Sequence, residues 1–166
     1  MSVPNDWDRL WAPHRLPYLQ GENKPQECVF CYKESAGQDP DLVVYRGKHS
    51  FVIMNLYPYN SGHLLVCPYR HVANLTDLNE AESAEITKLT QQSILALQNV
   101  AGAQGFNIGI NQGSISGAGI ADHLHQHIVP RWQGDTNFMP VIGSTKVLAQ
   151  LLSDLKNLLV KAWPNA

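Results

Sequence analysis

His123-Leu-His-Gln-His-Ile-Val-Pro-Arg-Trp132 is the stretch on which the reading of this chain turns. Three of its seven histidines stand at alternate positions within five residues. Alternation is the period of a β-strand, so the sequence predicts that His123, His125 and His127 share one face while Leu124, Gln126 and Ile128 share the other. Imidazoles titrate near neutrality, and crowding three of them together costs stability if they charge at once. Three readings are open at this point. The histidines alternate by accident, or they form a three-histidine metal site, or one imidazole is a nucleophile supported by its neighbours.

Working outward, the flanking segments also read as strands. Leu42–Arg46 and Ser50–Asn55 are β-rich runs joined by the turn Gly47-Lys48-His49. Tyr57–Gly62 has loop chemistry, and His63–Cys67 is a third strand expected to end at Pro68. The period then changes. Asn79, with Glu82 three residues on, predicts a capping box. Ile86, Leu89, Ile94, Leu97 and Val100 follow at helical spacing, with Gly102 and Gly105 to close the helix. Phe106–Asn111 returns to strand, and the glycine-rich loop Gly113–Gly119 leads into the histidines. After an irregular 131–143 connection, Ser144 is expected to cap a last helix. Its stripe of Val147, Leu148, Leu151, Leu152, Leu155, Leu158 and Leu159 reads as core, with leucine to spare for a dimer. The expected architecture is α+β, an antiparallel sheet carrying a long helix and a C-terminal helix. Residues 1–27, with Trp7 and Trp11, read as an irregular arm ahead of a single domain over 28–166.

The 166 residues suffice for one domain with a real core. A composition of 44% hydrophobic and 16% charged residues, with net charge −2, gives no basic excess for coating nucleic acid. No apolar run is long enough to span a membrane, and Met1 opens on polar, proline-containing sequence unlike a signal peptide. Of the three cysteines, Cys28 and Cys31 form a Cys-x-x-Cys pair and Cys67 reads as core. Reduced thiols suit a cytoplasmic protein, which is the expectation here.

The residues around the histidine stretch resemble the histidine-triad family of nucleotide hydrolases and transferases, whose signature is His-x-His-x-His with apolar residues between and after. Phe51–Asn55, Ser61–Pro68 and Arg70-His71 match the first half of the family pattern in order and spacing. Asn111, Gly113 and Gly117–Gly119 match the loop before the triad, and Pro130-Arg131 the segment after it. The likeness covers about residues 28–132. It implies a half-barrel of antiparallel strands with a long helix. It also implies that His125 attacks the α-phosphorus of a bound nucleotide and forms a nucleotidyl-histidine. His127 would donate a hydrogen bond to the α-phosphate and leaving group. Asn55 would hold the ribose, with Phe51 and Ile53 or Leu56 flanking the base. His63 would lie near the phosphate or be a buried structural histidine. Backbone N–H groups of the loop over Gly117, Ala118 and Gly119, with the hydroxyls of Ser114 and Ser116, would meet the phosphates.

In the bacterial branch of the family, and in related uridylyltransferases, a Cys-x-x-Cys pair joins two distant histidines around a structural zinc. The matching residues are Cys28, Cys31, His71 and His123, which would free His123 from catalysis. The transferase branch replaces the third histidine by glutamine; this chain has His127. The likeness is greatest to bacterial diadenosine tetraphosphate phosphorylases. It runs through Leu56-Tyr57-Pro58-Tyr59-Asn60-Ser61-Gly62-His63, Asp122-His123-Leu124-His125 and Arg131-Trp132-x-Gly134-Asp135-x-Asn137-Phe138. Asn111 and Trp132 would then shape the phosphate pocket. One departure stands at Ala118-Gly119, where that branch carries Gly-Ser and the small hydrolases Gly-Gln. That departure speaks against a phosphorylase, but the longer match after the triad makes inorganic phosphate the favoured acceptor. A water-using hydrolase of dinucleoside polyphosphates or phosphoramidates, and a non-catalytic nucleotide-binding module, are the alternatives. The family is usually dimeric, so a homodimer or higher homo-oligomer is expected.

Overall fold

The computed structural model describes residues 28–31, 42–135 and 151–164. Five strands form one antiparallel sheet: β1 (Val43–Arg46), β2 (Ser50–Met54), β3 (Leu64–Pro68), β4 (Gly105–Ile110) and β5 (Gln126–Arg131). Their order across the sheet is β1-β2-β3-β5-β4. Two helices, α1 (Glu80–Ala101) and α2 (Leu152–Lys161), complete the α+β fold expected from the sequence.

Alternation sorts the sheet's side chains into two clusters. Val52, Met54, Leu64, Val66 and Ile128 pack with Ile86, Leu89, Ala96 and Leu97 of α1 and Leu155 and Leu159 of α2. Val43, Phe51, Leu65 and Cys67 point the other way and pack with Phe30. The central strand β3 is buried on both faces, which is why it reads as a continuous apolar run rather than an alternating one.

Helix α1 starts where its capping box predicts. The Asn79 side chain accepts from the Glu82 N–H, and the Glu82 carboxylate accepts from the Asn79 N–H, each at 2.9 Å. It ends at Gly102, whose φ of 60° is left-handed. Gly62 is constrained more tightly. It has φ 78°, and a Cβ there would lie 2.9 Å from the Leu97 side chain. The loop entering β3 can approach α1 this closely only without a side chain.

Three expectations change. Strand β3 runs through Pro68 instead of stopping before it. β5 begins at Gln126, so His123 and His125 precede the strand instead of lying in it. There the Leu124 N–H donates to the Val72 carbonyl at 2.7 Å, a bond outside the sheet ladder. In α2, Leu155 and Leu159 are core, whereas Leu151 and Leu158 are exposed, so the stripe is narrower than expected. The expected cap at Ser144, with Val147 and Leu148, lies outside the described residues, as does the arm over 1–27. Among the described residues no helix is long and apolar enough to cross a membrane.

Candidate active site and metal centre

The sheet face away from the helices carries the site. Cross-strand pairing places Ile53, Leu65, His127 and Gly109 in one row across β2, β3, β5 and β4. The next row on that face holds Phe51 and Cys67. His125 and Asn111 lie one step beyond the paired ends of β5 and β4. The triad is therefore assembled although its first two members lie outside the strand. The His125 and His127 rings meet edge to face at 4.9 Å.

His125 is 6% exposed. Its Nδ1 lies 2.8 Å from the His123 carbonyl oxygen, which can only accept. Nδ1 therefore carries the proton, and Nε2 is left with its lone pair. Burial lowers the His125 pKa below the ordinary imidazole value, and the bond to His123 opposes this only in part. A neutral imidazole with a defined free nitrogen is what nucleophilic attack requires.

A second chain of bonds fixes His127. The Tyr59 N–H must donate, and it does so to His63 Nδ1 at 3.0 Å. His63 Nε2 then bears the proton and donates to His127 Nδ1 at 3.0 Å. The proton of His127 is thereby placed on Nε2, making it a donor. The Tyr59 ring lies over both histidines, 4.8 Å from His63 and 5.7 Å from His127. His63 is 0% exposed and reaches the site through His127.

Asn55 completes this corner. Its Oδ1 accepts the Tyr57 N–H at 2.9 Å and its Nδ2 contacts His63 Nδ1 at 3.2 Å. It braces the loop, with one donor and one acceptor position remaining for a ligand. Ile53 sits two strands from His127, about 10 Å away at the usual spacing. Phe51 is 1% exposed and stacks on Tyr69 at 5.3 Å, so it forms floor rather than an open platform for a base. Leu56 is exposed on the loop.

The glycine-rich loop runs through a short 3-10 turn over Ser114–Ser116, with left-handed Gly117 closing it. Ser114 is exposed, and Ala118 and Gly119 are half-buried. Ser116 Oγ donates to the Gly113 carbonyl at 2.7 Å, so this hydroxyl shapes the turn. Trp132 is not brought to the triad. It lies five residues past His127, about 16 Å along the strand. There it packs against the helix-side core and donates from Nε1 to the Ala101 carbonyl at 2.9 Å. Tyr59 is the member that sequence reasoning left without a role; its place four residues before His63, in a matching loop, was the available signal.

The ligand atoms of Cys28, Cys31, His71 and His123 all lie within 4.8 Å of one another. Cys28 Sγ is 3.4 Å from His123 Nδ1, and Cys31 Sγ is 3.0 Å from His71 Nδ1 and 3.6 Å from His123 Nδ1. Tetrahedral zinc, with ordinary bonds to sulfur and nitrogen, sets such ligand atoms about 3.3–3.8 Å apart, so the cluster is close to the required size. His123 Nε2 donates to the Pro68 carbonyl at 2.9 Å, which leaves Nδ1 unprotonated and facing the thiols. Burial, first, lowers the His123 pKa and keeps the ring neutral, as a ligand must be. The residues fit a zinc ion. The last strand residue of β3 thus orients a ligand, a role that its missing N–H does not impair.

Comparison with known proteins agrees with this geometry. The HIT domain model matches residues 36–134. An AP-4-A phosphorylase of Mycobacterium tuberculosis is 44% identical over 163 residues, spanning 93% of this chain and 84% of the relative. Among solved structures, a Zn-bound histidine triad family protein from Mycobacterium smegmatis superposes with TM-score 0.64 at 29% identity, covering 81% of this chain and 91% of that one. A hypothetical histidine triad nucleotide-binding protein from Sulfolobus tokodaii gives TM-score 0.66 at 27% identity, over 81% of this chain and 91% of its own. Triad, sheet order and sequence match converge, and the chain belongs to the HIT family.

Proposed function

We propose that this protein is an enzyme that cleaves dinucleoside polyphosphates, diadenosine tetraphosphate among them, by way of a nucleotidyl-His125 intermediate. The observation that carries this reading is the bond from His125 Nδ1 to the His123 carbonyl at 2.8 Å, which frees Nε2 in a buried, neutral ring. The Nε2 lone pair attacks the α-phosphorus of one adenosine end, forming a P–N bond while the P–O bond to the remaining ATP breaks. His127, protonated on Nε2 through the His63 relay, supplies a hydrogen bond to the departing oxygen. Asn55, Ile53 and Leu56 are the contacts offered to the nucleoside, and backbone N–H groups of the Gly113–Gly119 loop those offered to phosphate. Zinc bound at Cys28, Cys31, His71 and His123 contributes a structural cross-link.

Inorganic phosphate is the acceptor we favour. Its attack on the intermediate yields ADP, where water yields AMP. Support comes from the M. tuberculosis relative, named a phosphorylase, across 93% of this chain. Water has its own support. Ser116 is engaged within its turn and Trp132 lies on the far side of the sheet, so two groups expected to serve phosphate are committed elsewhere. Chromatography of diadenosine tetraphosphate digests, with and without phosphate, is the test. ATP plus ADP, dependent on phosphate, is the expected result; ATP plus AMP regardless of phosphate would establish the hydrolase. No turnover in either case would leave a binding protein.

A further inference from the structure

We infer that the Cys28–Cys31 knuckle does more than tie the chain together: it positions the nucleophile, and Phe30 is the residue through which it does so. This rests on the reading of His125 as nucleophile. Phe30 stands between the two cysteines, and the Cys31 N–H donates to the Cys28 carbonyl at 3.1 Å, closing the turn that carries it. Its side chain is 6% exposed. The ring lies 5.0 Å from the His125 ring, tilted by 45°, and 5.6 Å from the His123 ring, edge on at 70°.

A hydrogen bond from Nδ1 fixes one atom of the His125 imidazole but leaves the ring plane to be set by its neighbours. Among the described residues, the aromatic rings that meet it are Phe30, at 5.0 Å, and His127, at 4.9 Å and 67°. The acceptor of the Nδ1 bond is the backbone of His123, whose own Nδ1 faces both thiols. Two constraints on the nucleophile therefore come from the knuckle and the histidine beside it. One is made by the backbone of a ligand and the other by a side chain held between two ligands. Phe30 also touches the core formed by Phe51, Leu65 and Cys67. A purely packing role predicts a loss of stability, whereas a positioning role predicts a loss of rate at constant affinity.

The experiment compares Phe30→Leu, which keeps apolar bulk but loses the ring, with Phe30→Tyr, which keeps the ring. Zinc content, melting temperature, affinity for a non-hydrolysable dinucleoside polyphosphate, and the single-turnover rate of His125 nucleotidylation are measured for each. Phe30→Leu is expected to keep its zinc and to bind the analogue within about threefold of the parent, while its rate falls about 10- to 100-fold, as small misplacements of a reacting group cause. Phe30→Tyr is expected to recover most of that rate. Histidine-selective nitrogen NMR, which needs no substrate, is expected to show the His125 Nδ1–H signal broadened in Phe30→Leu alone. A Phe30→Leu enzyme with the parent's rate overturns the inference. So does one whose zinc, stability and rate fall in proportion, because Phe30 would then merely build the knuckle. If the parent protein does not turn over diadenosine tetraphosphate, the functional reading fails separately, and the NMR comparison decides alone: an unchanged His125 signal overturns the inference.

Discussion

At the scale of single residues, the site is a problem in proton placement solved by backbone groups whose roles are fixed. The His123 carbonyl can only accept and the Tyr59 N–H can only donate, so His125 and His127 are given opposite tautomers. His125→Ala should therefore lower the cleavage rate by about four orders of magnitude or more, as loss of a nucleophile does. Nucleotide affinity should stay within a few-fold, by titration calorimetry; substantial residual turnover would rule out the covalent route. His63→Phe removes the relay while keeping a buried ring, and with it the directed donor on His127. A rate loss of about 100-fold is expected in that variant. The test is the leaving group: a substrate whose leaving group needs no proton should restore most of the rate. The gathering of the triad on one face was legible because residue type and period both showed in the sequence, whereas its proposed chemistry came from the family resemblance. The tautomers were not, since they depend on Tyr59 and His63, whose bonds appear only when the loop folds back.

At the scale of elements, the most informative contact was invisible in the sequence. Glu85, on α1, accepts three backbone N–H groups of the β1–β2 turn, from Lys48 at 2.9 Å, His49 at 2.6 Å and Ser50 at 2.7 Å. A Cβ on Gly47 would lie 2.8 Å from this carboxylate, so the turn's glycine makes room for the clamp. Reading Gly47-Lys48-His49 as a turn was correct; nothing local indicated that a residue 35 positions on would supply its acceptor. Glu85→Ala should cost about 2–3 kcal/mol, since it strands donors that had a charged partner. Denaturant unfolding measures this, and a change under 0.5 kcal/mol would show that water replaces the carboxylate. At the start of the same helix, Arg70 holds Glu82 by two bonds of 2.7 and 2.6 Å. The Arg70 guanidinium, foremost, lowers the Glu82 pKa from 4.5 to about 2. A carboxyl depressed in the folded state stabilises above its unfolded pKa and loses that contribution as pH falls through its folded one. Stability should therefore decline as the pH is lowered from about 4.5 towards 2. Glu82→Gln should flatten that part of the curve; an unaltered acid profile would remove the pair from the account.

At the scale of the whole molecule, the fold is a sheet with two differently employed faces. One is covered by α1 and α2 and is almost purely apolar; the other gathers the histidines, Phe30 and the two knuckle cysteines. Sequence period recovered the helices' share of the first face, Ile86, Leu89 and Leu97 of α1 with Leu155 and Leu159 of α2, because burial of one helix stripe demands that spacing. It recovered the second only in part. His123 and His125 keep strand-like spacing outside a strand, and Trp132, close in sequence, is carried to the opposite side by the pleat. The four-residue cluster, together with the packing of Phe30, joins residues 28–31 to the sheet over separations of up to 95 positions. A metal that binds only the folded arrangement adds its binding energy to folding. In the Cys28→Ser, Cys31→Ser double variant, about one zinc per chain should be lost, as measured by elemental analysis. The melting temperature should fall by about 5–10 °C, since each kcal/mol moves a chain of this size by about 2–4 °C. The parent treated with a strong chelator should melt at the variant's temperature, and the chelator should leave the variant unmoved. Parent protein purified without chelator and found free of zinc would reduce the cluster to four packed side chains. An unchanged melting temperature in a zinc-free variant would show that the knuckle is held by Phe30 and its core neighbours alone.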